Sequence, residues 1–113
     1  MHKLSIFTLI IILFSLFSCS KKNYDNHDHN ELKTGKEFYS FHCAQCHRES
    51  GRGQVMKGIP PIIYSKLTHS QIRKLIIIGH KNSKMAVFKT MPKEEARKIA
   101  RYINKLSQAD IVK

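Results

Sequence analysis

The sequence predicts a small all-α domain of three to four short helices. Two Ser/Thr-x-x-Glu/Gln capping boxes, Thr34–Glu37 and Thr68–Gln71, mark helix starts. A third stretch carries Ala96, Ile99, Ala100, Ile103 and Leu106 on one face, the spacing of an amphipathic helix. No segment alternates with the period of a strand. The chain has 113 residues, enough for one domain after its apolar leader is set aside. A domain under about 100 residues buries only roughly 60–65% of its unfolded surface, so something beyond side chains must complete the interior. Large multidomain enzymes and solenoid arrays are excluded, and no internal repeat is visible.

The elements follow in chain order. Met1-His2-Lys3 is a short basic start, and Leu4 to Phe17 is an almost unbroken apolar run of 14 residues. A bilayer-spanning helix needs about 20 such residues, whereas the apolar part of an export signal needs about 7–15. Residues 1–18 therefore read as a signal peptide. The run ends in Leu16-Phe17-Ser18-Cys19, which resembles the lipobox of bacterial lipoproteins, with Phe17 where a small residue is usual. The resemblance implies cleavage before Cys19 and its acylation; a plain signal peptide or an uncleaved anchor are the other readings. Several acyl chains on one residue would hold the protein at a membrane, since a single chain binds only marginally.

Residues 19–33 are the lipid-bearing cysteine and a polar tether with too few apolar side chains to pack. His27-Asp28-His29 could chelate a metal weakly there, although plain solvation accounts for it. The domain is expected over 34–108, with a short tail at 109–113. Its first helix starts near Gly35 and runs into the cysteines. A turn-rich stretch then holds Gly51, Gly53 and Gly58, followed by Pro60 and Pro61. The second helix carries Ile72, Leu75, Ile76 and Ile78, with Gly79 as its stop. Thr90 is the expected cap of the last helix, with Pro92, Glu94 and Glu95 in its first turn. Lys93, Arg97, Lys98, Arg101 and Lys105 fall mostly on that helix's polar faces.

With Cys19 assigned to lipid, two cysteines remain, in Cys43-Ala44-Gln45-Cys46-His47. This is the C-x-x-C-H pattern of c-type haem attachment. Two thiols three residues apart on one helical turn reach the two vinyl groups on one edge of a porphyrin. The next residue's imidazole is then directed at the iron. Attachment takes place outside the cytoplasm, in agreement with the export signal. Other readings are a Cys43–Cys46 disulfide, a thioredoxin-like pair, which would need a βαβ setting, and a zinc site, which needs about four ligands.

Taken in order, these residues resemble the class I (monohaem) cytochrome c family over about Thr34 to Leu106. Gly35, Phe38 and Tyr39 match its first helix and Cys43 to His47 its haem motif. Pro60-Pro61-Ile62 resembles the proline stretch that follows the motif. Gly79 with Met85-Ala86-Val87-Phe88 resembles the loop that brings a second iron ligand, with Ala86 in place of its proline. Lys93 to Leu106 is similar to the C-terminal helix. The resemblance implies one covalently attached haem c, with Cys43 and Cys46 as thioether donors and His47 as one axial ligand.

In that family the other ligand is usually a methionine sulfur, which raises the reduction potential. Met56 lies only nine residues past His47, too close to cross to the other face. Met91-Pro92 has the family's dipeptide but abuts the last helix. Met85 stands 17 residues before Tyr102, with Phe88 three residues on, and is the expected ligand. Met91, His69, His80 and an open position are the alternatives. The carbonyl of Pro60 or its neighbour is expected to accept the other ring N–H of His47, fixing its tautomer. Gly35 and Phe38 are expected to pack against the Tyr102 region, where the terminal helices cross. Ile62, Leu75, Ile76, Val87, Phe88 and Ile99 are the candidate haem-facing wall.

The chain holds 20 Lys and Arg against 8 Asp and Glu, a formal net charge of +12. Arg48, Arg52, Lys57, Lys81, Lys84 and Lys89 are expected to border the haem edge and to steer acidic redox partners. A solvated basic face is the bland alternative. Nucleic acid is not expected, since no binding motif is present. The expectation is thus a lipid-anchored haem carrier in the periplasm that passes single electrons and has no small-molecule substrate. Its rivals are a haem subunit of a larger oxidase or reductase, and a haem sensor or peroxidase with a weak sixth ligand.

Overall fold

The computed structural model describes residues 29–112; the expected signal peptide, Cys19, His27 and most of the tether lie outside the described residues. Among the described residues four helices follow one another: α1 (Gly35–His42), α2 (Ala44–His47), α3 (His69–Ile78) and α4 (Lys93–Ile111). A single 3-10 turn, Val55–Lys57, interrupts the loop between α2 and α3. The described residues hold no strand, only one isolated antiparallel bridge between Gln54 and Ile59. None of their helices is long and apolar enough to cross a membrane.

Both expected capping boxes form. Thr34 Oγ1 accepts from the Glu37 amide at 3.2 Å, while a Glu37 carboxylate oxygen accepts from the Thr34 amide at 2.7 Å. Thr68 and Gln71 repeat the exchange at the start of α3. Each box satisfies two backbone donors that a helix start otherwise leaves unpaired. Gly79 ends α3 at φ 81°, a conformation an L side chain resists. A Cβ there would also meet Val87 Cγ2 at 2.6 Å.

The last helix differs from expectation at both ends. Pro92 stands at its N-cap and makes no side-chain cap, so Thr90 does not cap it. Phe88 to Met91 close a turn instead, the Met91 amide donating to the Phe88 carbonyl at 3.1 Å, and this delays the helix to Lys93. At the other end α4 continues to Ile111, into the expected tail. The tether's last residues are also engaged: the His29 ring lies 4.4 Å from Phe41 and 5.2 Å from His42 between centroids, and Leu32 packs on the core.

The core sits where α4 packs against both α1 and α3. Ala96, Ile99 and Ala100 of α4 are completely buried, joined by Phe38 and Tyr39 from α1 and by Ile72 and Ile76 from α3. Burying each large apolar side chain contributes roughly 1.5–3 kcal/mol. Gly35 decides how closely the terminal helices approach. A Cβ at this position would lie 2.3 Å from the Lys98 carbonyl oxygen and 3.1 Å from Tyr102 Cβ. The rings of Tyr39 and Tyr102 meet 5.3 Å apart beside it.

Alanine favours a helix over glycine by about 1 kcal/mol, yet Gly35→Ala is expected to destabilise the protein by about 1–3 kcal/mol, the usual cost of overpacking. A lowered denaturant midpoint would show this; an unchanged or raised one would mean the crossing tolerates a side chain.

Candidate functional site

Cys43 ends α1 and breaks the helix before α2 begins. Its amide still donates to the Tyr39 carbonyl at 2.8 Å, and its own carbonyl accepts from the His47 amide at 2.9 Å. The motif is therefore one tight turn hung from the end of α1. Cys43 is buried, Cys46 exposed, and both are free thiols. Arg48 then turns the chain away at φ 61°. Its carbonyl accepts from the Tyr39 hydroxyl at 2.8 Å, so a buried core side chain fixes the end of the motif.

The loop after α2 is drawn back over this turn. Gln54 Nε2 donates to the carbonyls of Gln45 at 3.1 Å and Cys46 at 2.9 Å. The Gly53 amide donates to the His47 carbonyl at 3.0 Å. A Cβ on Gly53, at φ 67°, would lie 2.5 Å from the Ile59 oxygen and 2.6 Å from the Pro60 oxygen, so only glycine lets the strands of the loop pass so closely.

This crossing brings the Pro60 carbonyl to the His47 imidazole. The carbonyl favours the protonated ring, but burial outweighs it and holds the His47 pKa below its ordinary value. Nδ1 is buried and makes no hydrogen bond of good geometry, so the expected Pro60 contact is in place as proximity rather than as a formed bond. A neutral imidazole is the form that ligates a metal.

Two cavities adjoin the motif. One, of about 80 Å³, is walled by apolar side chains, among them Ile62, Leu67, Ile72, Leu75 and Ile76. The other, of about 300 Å³, is bordered by His42, Cys46, Ile59 and Phe88, with Lys57 and Lys84 at its edge. Cys43, His47 and Met85 line both. Met91, by contrast, is buried in the core cluster at 4% exposure, and Met56 is fully exposed on the 3-10 turn. His69 and His80 are exposed and line neither cavity. The loop bearing Met85 is pinned where the Phe88 amide donates to the Ile76 carbonyl at 2.9 Å.

Some expected surroundings differ. Ile99 is spent on the helix crossing, completely buried, and Ile103 one turn later takes its place in the cavity wall. Val87 folds back over Gly79 and is partly exposed. Of the basic rim, Lys57 and Lys84 border the cavity, whereas Arg52 turns away to pair with Asp110 of α4 at 2.6 Å. His42, buried on the cavity wall beside Phe88, and Gln54, which ties the loop to the motif, were not picked out from the sequence. Gln54 carries no periodic or motif signal that would have revealed it.

Cys43 does not suit disulfide exchange. Burial pushes the Cys43 thiol up to about 12, far from the thiolate such chemistry needs. Among the described residues no group of three or more His, Cys, Asp or Glu is arranged to hold a bare ion. The donor set fits haem instead: two thiols and an uncharged imidazole on one turn, facing apolar hollows that the side chains leave unfilled.

An all-α domain folded around such a turn defines a class I c-type cytochrome. The family described as cytochrome C oxidase, cbb3-type, subunit III matches residues 30–103, more than half of the chain, and the protein belongs to that family. No curated protein matches it. The chain is thus an electron-transfer protein that carries covalently bound haem c, held by the Cys43-x-x-Cys46-His47 motif.

Burial raises the Tyr39 hydroxyl above its ordinary ionisation range. Unfolded, this tyrosine ionises near pH 10; folded, it does so only at higher pH. The stability it supplies is whole below about pH 10 and is lost as pH rises from there toward the folded value. Tyr39→Phe should cost about 1 kcal/mol at neutral pH and should show a shallower alkaline loss, measured as unfolding midpoint against pH. A parallel decline in both proteins would place the effect elsewhere.

Proposed function

We propose that this protein is a one-electron carrier, exported and anchored by lipid at Cys19, whose iron is ligated by His47 and Met85 and which itself catalyses no substrate reaction. The observation that carries the ligand assignment is the placement of Met85 on both cavity walls with His47, while Met91 is committed to the core. Bound haem c supplies a one-electron Fe(III)/Fe(II) couple whose potential depends on axial ligands and burial. The residues of this chain do the rest. Cys43 and Cys46 hold the group, the neutral His47 ring donates a lone pair, and Ile62, Leu75, Ile76 and Ile103 exclude water. Lys57 and Lys84 place positive charge at the mouth, where an acidic redox partner is favoured.

The name of the matched family supports a second reading, in which the chain is the haem subunit of a larger oxidase rather than a free carrier. Stable co-purification with an integral oxidase would favour that reading; release at moderate salt would favour the carrier.

Optical spectra test the ligand assignment. The ferric protein should show the weak deep-red band of methionine-to-iron ligation, lost in Met85→Ala and kept in Met91→Ala. Loss only in Met91→Ala would reverse the ligand assignment. A high-spin wild-type spectrum, with carbon monoxide binding to the native ferrous form, would move the function to sensing or peroxidase chemistry. For the basic mouth, Lys57→Glu with Lys84→Glu should slow reduction by respiratory membranes about tenfold at low salt, within the range set by electrostatic steering. The difference should vanish as ionic strength rises, and a salt-independent rate would argue against steering.

A further inference from the structure

A second basic surface lies away from the haem mouth. Where the N-terminal end of α1 crosses α4, a hollow of about 300 Å³ is bordered by Lys36, Lys98, Arg101, Tyr102 and Lys105. On α4 the three cations recur at i, i+3 and i+7, so they form one stripe. Lys36 faces them from α1, and Lys33 adjoins them through its carbonyl, which accepts from Lys98 Nζ at 2.9 Å. Lys36, Arg101 and Lys105 form no ion pair with any described residue. Glu94, the acid that feels Lys98 and Arg101, is already engaged by Arg97. The first two amides of α1, those of Gly35 and Lys36, also lack an acceptor among the described residues. Glu49 acts on the bordering Tyr102 but accepts its hydrogen bond from Ser40 instead, so among the described residues the hollow gathers cations that no carboxylate pairs directly.

The charge of this surface selects an anionic occupant, and the length of the chain's N-terminal part allows that occupant to be the membrane. His29 stands ten positions after Cys19, and ten chain steps reach at most about 33–36 Å when fully extended. The domain begins at His29 against the far end of α1, and the eight residues of α1 span only about 12 Å. With Cys19 bearing lipid, this length lets the basic hollow at the other end of α1 reach the bilayer, as it does the haem cavity beside His42; the uncompensated cations distinguish the hollow. The residues that border the hollow are distinct from those of both haem cavities.

We propose that the hollow at the α1–α4 crossing docks anionic phospholipid headgroups, laying the domain on the membrane with its haem mouth left free for redox partners. This rests on the reading of Cys19 as the lipid attachment. Lys98, Arg101 and Lys105 meet the headgroup phosphates, with Lys33 and Lys36 beside them. A Lys or Arg near an anionic lipid surface strengthens binding by about fivefold, so three together supply about a hundredfold.

The test uses the haem-loaded chain from Ser20 to Lys113, produced behind a cleavable export leader so that no acyl chain contributes. It contains every described residue and the whole span matched by the family. Co-sedimentation is measured with vesicles of phosphatidylcholine alone and with phosphatidylglycerol added. Binding is expected only to the anionic vesicles and should weaken with salt. Lys98→Glu/Arg101→Glu/Lys105→Glu should lower the affinity about a hundredfold or more, with the haem spectrum unchanged. The charge-matched variant Lys57→Glu/Lys81→Glu/Lys84→Glu should stay within a few-fold of wild type. Equal losses in the two variants would reduce the effect to net charge and overturn the proposal, as would no binding to anionic vesicles. If vesicles are ignored but the α4 variant slows electron transfer with respiratory membranes, the hollow serves an acidic protein and the lipid assignment falls. Mass spectrometry of the full-length protein reads acylation of Cys19 independently, so a failure of the anchor is distinguishable from a failure of the docking surface.

Discussion

Backbone approaches backbone at Gly35, and the rest of the domain depends on that contact. With only a hydrogen on its α-carbon, α1 lies against the Lys98 carbonyl of α4, close enough for Phe38 and Tyr39 to bury themselves beside Ile99 and Ile103. Tyr39 then reaches Arg48 with its hydroxyl and so holds the turn that carries both thiols and the imidazole. Core packing and site geometry are therefore one structure: a shift of α1 along α4 would move the tyrosine and, through it, the motif.

That structure leaves its interior incomplete. The apolar side chains of α3 and α4 meet in the core, but where they face the motif turn they border hollows. Haem c, held by Cys43 and Cys46, would add apolar surface to these hollows as well as the redox couple. The loop over the motif contributes by exclusion as much as by contact. Gly53 lets it pass close to Pro60, and Gln54 secures it to the carbonyls of the motif turn. The half-buried imidazole is held below its ordinary pKa by desolvation, which favours the neutral form that a metal takes.

The parts of the fold that rest on local chemistry were legible in the sequence. Both capping boxes, the Gly79 stop and the α4 stripe are satisfied by residues within a few positions of one another, and they formed as expected. The haem motif is local for the same reason, since two thioethers and an axial ligand must come from a single turn. Thr90 misled because a threonine ahead of an amphipathic run is a cap only if the chain enters the helix there. Here Met91 is pulled into the core and Phe88 closes a turn with it, so the helix starts after Pro92. Arg52 misled similarly: a loop arginine near the motif does not reveal that Asp110, far along the chain, lies within reach.

The sequence by itself determined the helical class, the helix starts and the covalent haem motif, because each is written in the spacing of neighbouring residues. Tertiary structure decided which of several similar residues does what. It sent Met85 to the cavity walls and Met91 to the core, assigned Ile99 to the helix crossing and Ile103 to the pocket, and divided the lysines between the haem mouth and the α1–α4 hollow. The physical reason is that burial and proximity depend on how helices distant in sequence cross. Two methionines six residues apart have the same chemistry until that crossing gives one of them a core and the other a cavity.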